Sequence, residues 1–346
     1  MPNVHSCIGA FVDLTSASIK QQAIELGFDL CGVSPAGDLP ELGFFRTWLA
    51  QGYAGEMAYL HRSAERRADV RSVLPSARSV IVTGTIYNTA VPYSTESSDP
   101  DRAHIARYAW GDDYHEVIGA RLEALIAWMR EQSDQPFDAR AYVDTGPVQE
   151  RVYARHAGLG WIGKNTCVIS PQVGSWMFLS EIICSLPLEV DEPALDQCGN
   201  CTLCLEACPT QAFKGPGVLD ATRCISYLTI EQRGPIPDTL APAVGSHVYG
   251  CDICQEVCPW NQLSPVSSDP AWQPRPVWRD ARVSVLAATA DEDLQTAMRG
   301  SAMTRTRVAG FRRNLAVAAH NVQGRRTPQP PADSAEVDDS QTQERH

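Results

Sequence analysis

The stretch CGNCTLCLEACPT, residues 198–210, constrains this chain more than any other: four cysteines at fixed short gaps, C-x2-C-x2-C-x3-C, closed by a proline. A second run, C-x2-C-x3-C-P, extends from Cys251 to Pro259, and the isolated Cys224 stands between them. Eight of the twelve cysteines thus lie within residues 198–258. Zinc sites draw on two Cys pairs, or Cys pairs with histidines. They do not need three cysteines at successive two-residue gaps followed by Cys-Pro.

The spacing matches the bacterial ferredoxin pattern for cubane [4Fe-4S] clusters. Short gaps wrap one loop around a cluster and aim backbone amides at its sulfurs, while the last cysteine departs on a helix and ligates the other cluster. By that rule one cluster takes Cys198, Cys201, Cys204 and Cys258. The other takes Cys208, Cys251, Cys254 and a fourth ligand, and Cys224 is the cysteine left to fill the place. Two clusters form a one-electron relay. A stand-alone carrier needs only this window, yet about 190 residues precede it, so the electrons are expected to be consumed upstream.

Composition sets further bounds. The chain has 346 residues, 44% hydrophobic and 20% charged, as in an ordinary globular protein. No run of 18 uncharged apolar residues predicts a membrane span. The start, MPNVHSCIGAFVDLTS, lacks the basic segment and apolar core of a signal peptide, and no twin-arginine pair opens the chain, so a cytoplasmic location is expected. In that reducing compartment the cysteines are not expected to form disulfides, and the scattered Cys7, Cys31, Cys167 and Cys184 read as small buried apolar residues. The net charge of −12 argues against nucleic-acid binding, but residues 294–326 hold seven arginines and no acid, a basic patch that the average hides.

Residues 15–27 read as a capped helix ended by a glycine, FDLCGVSPA as a strand and turn, SVIVTGTI (79–86) as a buried central strand, and residues 113–132 as a long helix. RAYVDTGPV reads as a strand and turn, and QERVYARHAGLGW as a helix stopped by glycines. TCVISP and SWMFLSEIIC read as a hairpin turning at Val173 and Gly174. Residues 276–323 look helical, with LAVAAHNV a short apolar helix, and the proline-rich acidic tail from 327 reads as disordered.

The densest candidate for chemistry outside the cysteines is YVDTGPVQERVYARHAGLGWIGKNT, residues 142–166. Asp144 ends a strand before a glycine turn, a place that suits either a functional carboxylate or a turn cap. Lys164 follows GLGWIG and suits a phosphate, a carboxylate or plain solvation. The segment is neither a Walker motif nor a dinucleotide fingerprint, because GLGWIG closes a helix instead of following a strand.

VDTGPVQERVYARHAGLGWIGKNT, GSWMFLSEI, CGNCTLCLEACPTQAF, RCISYLTIE and YGCDICQEVCPWN, with GYAGEMAYL, ERRADVRSVLPSARSVI and ARYAWGDDYH upstream, closely resemble the epoxyqueuosine reductases in order from about residue 15 to about 322. The resemblance implies an α/β (α+β) cobalamin-binding domain of nitroreductase-like or reductive-dehalogenase-like type over 1–190. A ferredoxin-like double-cluster domain follows over 191–265, then a short basic helical region (266–325) and an acidic tail (326–346). It implies an oxidoreductase that reduces epoxyqueuosine to queuosine at the wobble position of tRNA, with base-off cobalamin, two [4Fe-4S] clusters and a monomeric state. The family's proton donor falls on Asp144. Its cobalamin contacts fall on Arg67, Val168, Leu179, Ser226, Cys251 and Asp252, with Asp144. Ala106 stands where some relatives carry a cofactor-contacting cysteine, and the C-terminal helical repeats of longer members are absent.

Turning an epoxide into an alkene takes two electrons and two protons and releases water. An aspartic acid in an apolar cofactor cavity is expected to have a raised pKa and so to hold a proton near neutrality. The arginines Arg305, Arg307, Arg312 and Arg313, with Arg223 beside Cys224, are the candidates for tRNA phosphates. A low-potential flavodoxin or ferredoxin is the expected donor. Two other readings compete: a reductive dehalogenase, usually exported behind a twin-arginine signal, and a non-enzymatic electron-transfer subunit that needs no corrinoid.

Overall fold

The computed structural model describes residues 14–326; Cys7 and the acidic tail lie outside them. At its centre is a four-stranded sheet ordered Leu30–Pro35, Ser79–Ile86, Met177–Cys184, Ala139–Tyr142. Every pairing in it is antiparallel, so the α+β half of the expected fold class holds and a parallel α/β sheet does not.

Alternation along the strands sorts their side chains onto two faces. Ile81 and Ile182 point to one face, where helix Ser16–Glu25 brings Ile19 and Ala23, and helix Tyr114–Gln132 brings Ile118, Leu122, Leu125 and Met129. Val80, Val82 and Ile183 point to the other, against Val152, Tyr153 and Ala154 of helix Glu150–His156 and against Leu42 and Val70 of two short 3-10 turns. Covered on both faces, Ser79–Ile86 is buried at all eight positions, as SVIVTGTI predicts. The two long helices start where the sequence places them: Thr15 accepts the Ser18 N–H, and Asp113 accepts the His115 N–H.

One expected pairing fails. Val168–Ile169 pairs with Trp161–Ile162, and Met177–Cys184 enters the main sheet between Ser79–Ile86 and Ala139–Tyr142. Only a single bridge, Ser170 to Gly174, remains of the hairpin. The reason lies in MFLSEIIC, which is apolar on both faces. A strand of that kind needs cover on two sides and neighbours on two edges.

The two cysteine runs form loops, each closed by one helical turn, Leu203–Glu206 and Ile253–Glu256. LAVAAHNV is not a short helix; it lies inside Arg307–Arg326. Phe311, Leu315, Ala318 and Val322, three to four residues apart, pack that helix onto Val248, Tyr249, Leu286 and Met298. The buried Asn314 amide donates to Thr229 O (2.7 Å) and Val248 O (2.9 Å), pinning the helix to the cysteine region. Among the described residues no helix is long and apolar enough to cross a membrane.

Candidate functional site

The structure sorts the eight clustered cysteines into two sets. Cys198, Cys201, Cys204 and Cys258 line one cavity with Lys164, Asn165, Ile169, Pro259 and Trp260. Burial and the three neighbouring thiols push the Cys204 thiol up to about 11. In the second set, Cys251 feels the charges of Cys224 and Cys208, and Cys254 those of Cys251 and Cys224. Among the described residues no three His, Cys, Asp or Glu side chains converge on a point that would hold one ion. The thiols of the first set line a cavity, an arrangement that suits a cubane.

N–H groups already point at the sulfurs. Trp161 Nε1 donates to Cys198 Sγ (3.3 Å), and the Ala212 amide donates to Cys208 Sγ (3.3 Å). Lys164, which the sequence left open to a phosphate, a carboxylate or water, takes none of these. Its ammonium donates to Gly199 O (2.7 Å) and Cys201 O (2.8 Å), fastening the first cysteine loop. Asn165 does the same for the second run through Cys254 O (3.1 Å). GLGWIGKNT is therefore the seat on which both runs rest. Of the scattered cysteines, Cys184 is buried as expected, Cys31 is half-buried, and Cys167 packs its thiol against Cys254.

Asp144 stands at the end of strand Ala139–Tyr142 with φ of +57°, a left-handed conformation that costs a non-glycine residue about 1–3 kcal/mol. The turn is held on both sides. The Asp144 N–H donates to Glu150 Oε1 (2.6 Å), and Tyr114 Oη donates to Asp144 Oδ2 (3.1 Å). His115 Nε2 lies 3.6 Å from the same oxygen, and His115 Nδ1 meets Asp113 Oδ1 at 2.7 Å. The Tyr114 ring stacks between His115 (4.0 Å) and Phe178 (4.5 Å), which fixes the phenol and the imidazole together.

The electrostatics overturn one expectation. Although burial pushes Asp144 up, His115, Tyr114 and Arg67 together hold its carboxyl below the usual range. The two aspartates raise His115 against its burial, to about 9. Asp144 is therefore an ionised carboxylate beside an imidazolium at neutrality, not a standing acid. The raised carboxyls are its neighbours: Glu150, pushed up by burial and by the Asp144 charge, and Glu181, pushed up by burial and by the Glu150 charge. No sequence argument above singled out either one. The available signal was a lone acid inside the apolar run MFLSEIIC.

The candidate cofactor contacts fall in three places. Arg67 lies under the Asp144 turn, donating to Val148 O (2.6 Å) and Ser63 Oγ (3.0 Å), while the Asp144 side chain is 62% exposed into open space. Val168 and Leu179 belong to the apolar face of the sheet that also carries Glu150's helix. Ser226, Cys251 and Asp252 gather at the second cysteine set: Ser226 hydrogen-bonds the Cys224 sulfur, and Asp252 accepts the Arg107 N–H (2.6 Å). Burial, reinforced by Glu256, raises Asp252 to about 7. Ala106 sits against Gly250, whose φ is +68° and where a Cβ would come within 2.4 Å of the Ala106 Cβ.

The arginines divide as well. Arg312 donates to Leu286 O, Ala287 O and Thr289 O, closing the end of helix Val283–Ala288, and pairs with Asp291. Arg313 donates to Leu228 O, Gln232 O and Gly234 O. Arg223 Nε donates to Thr210 O. Arg305 and Arg307 are exposed; Arg305 pairs with Glu231 (2.9 Å) and lies over the Tyr59 ring (5.5 Å).

Residues 197–261 match the 4Fe-4S double cluster binding domain, and residues 67–145 match the model described as Epoxyqueuosine reductase QueG, DUF1730. The epoxyqueuosine reductase of Gloeobacter violaceus is 44% identical over 87% of this chain and 94% of its own length. The chain belongs to the epoxyqueuosine reductase family. The reductase of Synechocystis sp. is 45% identical over 78% of the chain and 92% of its own. A crystal structure of epoxyqueuosine reductase with an epoxyqueuosine-modified tRNA-Tyr stem loop superimposes with a TM-score of 0.81 at 30% identity, covering 89% of this chain and 81% of that one. Family membership sets aside the dehalogenase and stand-alone carrier readings and makes the chain an oxidoreductase with a double-cluster domain.

Proposed function

We propose that this chain reduces epoxyqueuosine to queuosine at the wobble position of tRNA, the last step of queuosine biosynthesis. The observation that carries the reading is the likeness, over 89% of the chain, to a reductase crystallised with its modified tRNA stem loop. Cys198, Cys201, Cys204 and Cys258 hold one [4Fe-4S] cluster, and Cys208, Cys224, Cys251 and Cys254 hold the other. The N–H groups of Trp161 and Ala212 fit that assignment, since cluster sulfurs accept such bonds.

The residues present also fit a cobalamin in the 1–190 domain, of the nitroreductase-like or reductive-dehalogenase-like type. Open space fronts the Asp144 carboxyl, Val168 and Leu179 supply apolar contact, and Arg67 and Ser226 supply donors suited to corrin amides. Bound there, cobalamin supplies low-valent cobalt, which delivers the electrons to the epoxide. Cys251 and Asp252 join the second cysteine set to the cofactor edge. Asp144, steered by Tyr114 and His115, passes on to the opened epoxide oxygen a proton that it takes up during turnover.

Arg305, at the Tyr59 side of the pocket, and Arg307 meet the tRNA backbone, with Arg223 near the anticodon loop. Arg312 and Arg313 act from behind, by holding the helix that carries this edge. The double-cluster domain spans 191–265 and the basic helical region 266–325. The enzyme works as a cytoplasmic monomer fed by a low-potential flavodoxin or ferredoxin.

The test is mass spectrometry of nucleosides from epoxyqueuosine-bearing tRNA, incubated anaerobically with the protein, cobalamin and a strong reductant. Loss of one oxygen only when cobalamin is present is the expected result. No conversion by protein with intact clusters would overturn the reading.

A further inference from the structure

Glu181 lies in the middle of the central strand Met177–Cys184, 0% exposed, between Val82 and Tyr142 on the adjoining strands. Neither of its carboxyl oxygens has a hydrogen-bond partner among the described residues. A buried carboxylate without a donor is among the most costly groups a fold can hold. The charge that bears on it most is that of Glu150, another carboxyl, which as an anion has no donor to offer. One proton shared between the two eases the conflict: it neutralises one group and gives an oxygen of the other a donor. The remaining groups facing the pair do not supply that donor. Arg67 donates from Nε to Ser63 Oγ and from Nη1 to Val148 O, and Arg151 from Nη1 to Thr166 O. Tyr114 donates to Asp144. Tyr153, packed on the same face, has its hydroxyl unbonded by any described side chain.

The pair is also in the right place. Glu150 Oε1 accepts the backbone N–H of Asp144, so the shared proton sits directly behind the turn that presents Asp144. Converting an epoxide to an alkene breaks two C–O bonds and consumes two electrons and two protons. One proton goes to the oxygen as the ring opens, and the second as that oxygen departs as water; the electrons come from the low-potential donor through the clusters. Asp144 carries at most one of those protons at a time, so it is reloaded within each turnover, and Glu150 adjoins it through the backbone N–H. We propose that Glu150 and Glu181 share one proton and that this buried pair supplies it, through Glu150, to Asp144. The raised pKa of both glutamates agrees with a proton retained at neutrality. The inference rests on the reduction proposed above for its role in turnover, but not for the existence of the shared proton.

The experiment uses the full-length protein with its clusters, as wild type and as Glu181→Gln, which keeps the shape of the side chain and gives Glu150 a permanent N–H donor. Infrared spectra across about pH 6 to 9 read the carbonyl stretch of protonated carboxyl groups. Wild type keeps such a band at neutral pH, and the variant loses the share of it that the pair contributes, while that of Asp252 remains. The variant binds modified tRNA with a KM within about twofold of wild type and converts it about 10–100-fold more slowly, with the pH profile of kcat displaced. An unchanged infrared band, or a lost band with wild-type kcat and pH profile, would overturn the proposal. Should Glu181→Gln fail to fold, Glu150→Gln carries the same spectral test. If wild type does not reduce the substrate at all, the proposed function fails while the band still decides whether the pair holds a proton.

Discussion

The cysteine loops and the Asp144 pocket solve one problem, several like-charged groups packed together, in opposite ways. In the loops eight thiols gather in two sets, and burial and repulsion by neighbouring thiols drive Cys204, Cys224, Cys251, Cys254 and Cys258 toward the neutral, protonated form. Iron relieves that repulsion, and cluster assembly must release the protons. In the pocket three carboxyls, Asp144, Glu150 and Glu181, crowd together, and relief comes from an imidazolium, a phenol and retained protons. The difference teaches a division of labour. One region gives up its protons to hold electron carriers; the other keeps its protons and a strained turn ready for chemistry.

The comparison can be broken most severely at a thiol. Cys254→Ala removes a member of the second set and one neighbour of Cys167. Iron should fall from about eight to about four per chain and turnover should vanish, as iron analysis and tRNA assay would check. An unchanged iron content would mean that the second set does not hold a cluster. In the pocket, Asp144→Asn should leave the iron content untouched and lower kcat by about 10²–10⁴. Normal turnover would remove Asp144 from the chemistry.

A third variant separates support from contact. Arg313→Ala leaves three carbonyls without their donor and should lower the unfolding free energy by about 1–3 kcal/mol. Arg307→Ala should leave the melting temperature alone and weaken tRNA binding in a salt-dependent way. Equal melting temperatures for the two would show that Arg313 is not a support.

The smallest effect is a pH dependence. His115 is raised from 6.5 to about 9 in the fold, so it binds more protons folded than unfolded. Its stabilising contribution is whole below about pH 6.5 and is lost as pH rises through about 9. Wild type should therefore lose melting temperature over that window, and His115→Asn should flatten part of the loss. An identical slope in the variant would detach His115 from Asp113 and Asp144.

Much of this was legible in the residues, for physical reasons. Cysteine gaps of two and three leave little conformational choice, and the two sets form as the spacing demands. Helix Tyr114–Gln132 and strand Ser79–Ile86 declare themselves through periodicity and cover. What escaped depends on distant partners. Met177–Cys184 reads locally as half of a hairpin, but two-sided burial sends it to the main sheet. Lys164 stays open between an anion and water until the fold lays the first cysteine loop beneath it. Asp144 reads as a buried acid until His115, 29 residues earlier, is placed against it. Glu150 and Glu181 are 31 residues apart and meet only when the helix covers the sheet.

The most direct test of the account is a single turnover. Wild type and Asp144→Asn, each loaded with cobalamin and reduced anaerobically, would be mixed with one equivalent of epoxyqueuosine tRNA, reading oxygen loss by nucleoside mass spectrometry and the clusters by electron paramagnetic resonance. The account expects identical cluster signals and conversion by wild type alone. Equal conversion by both, or none by wild type with its clusters intact, would contradict it.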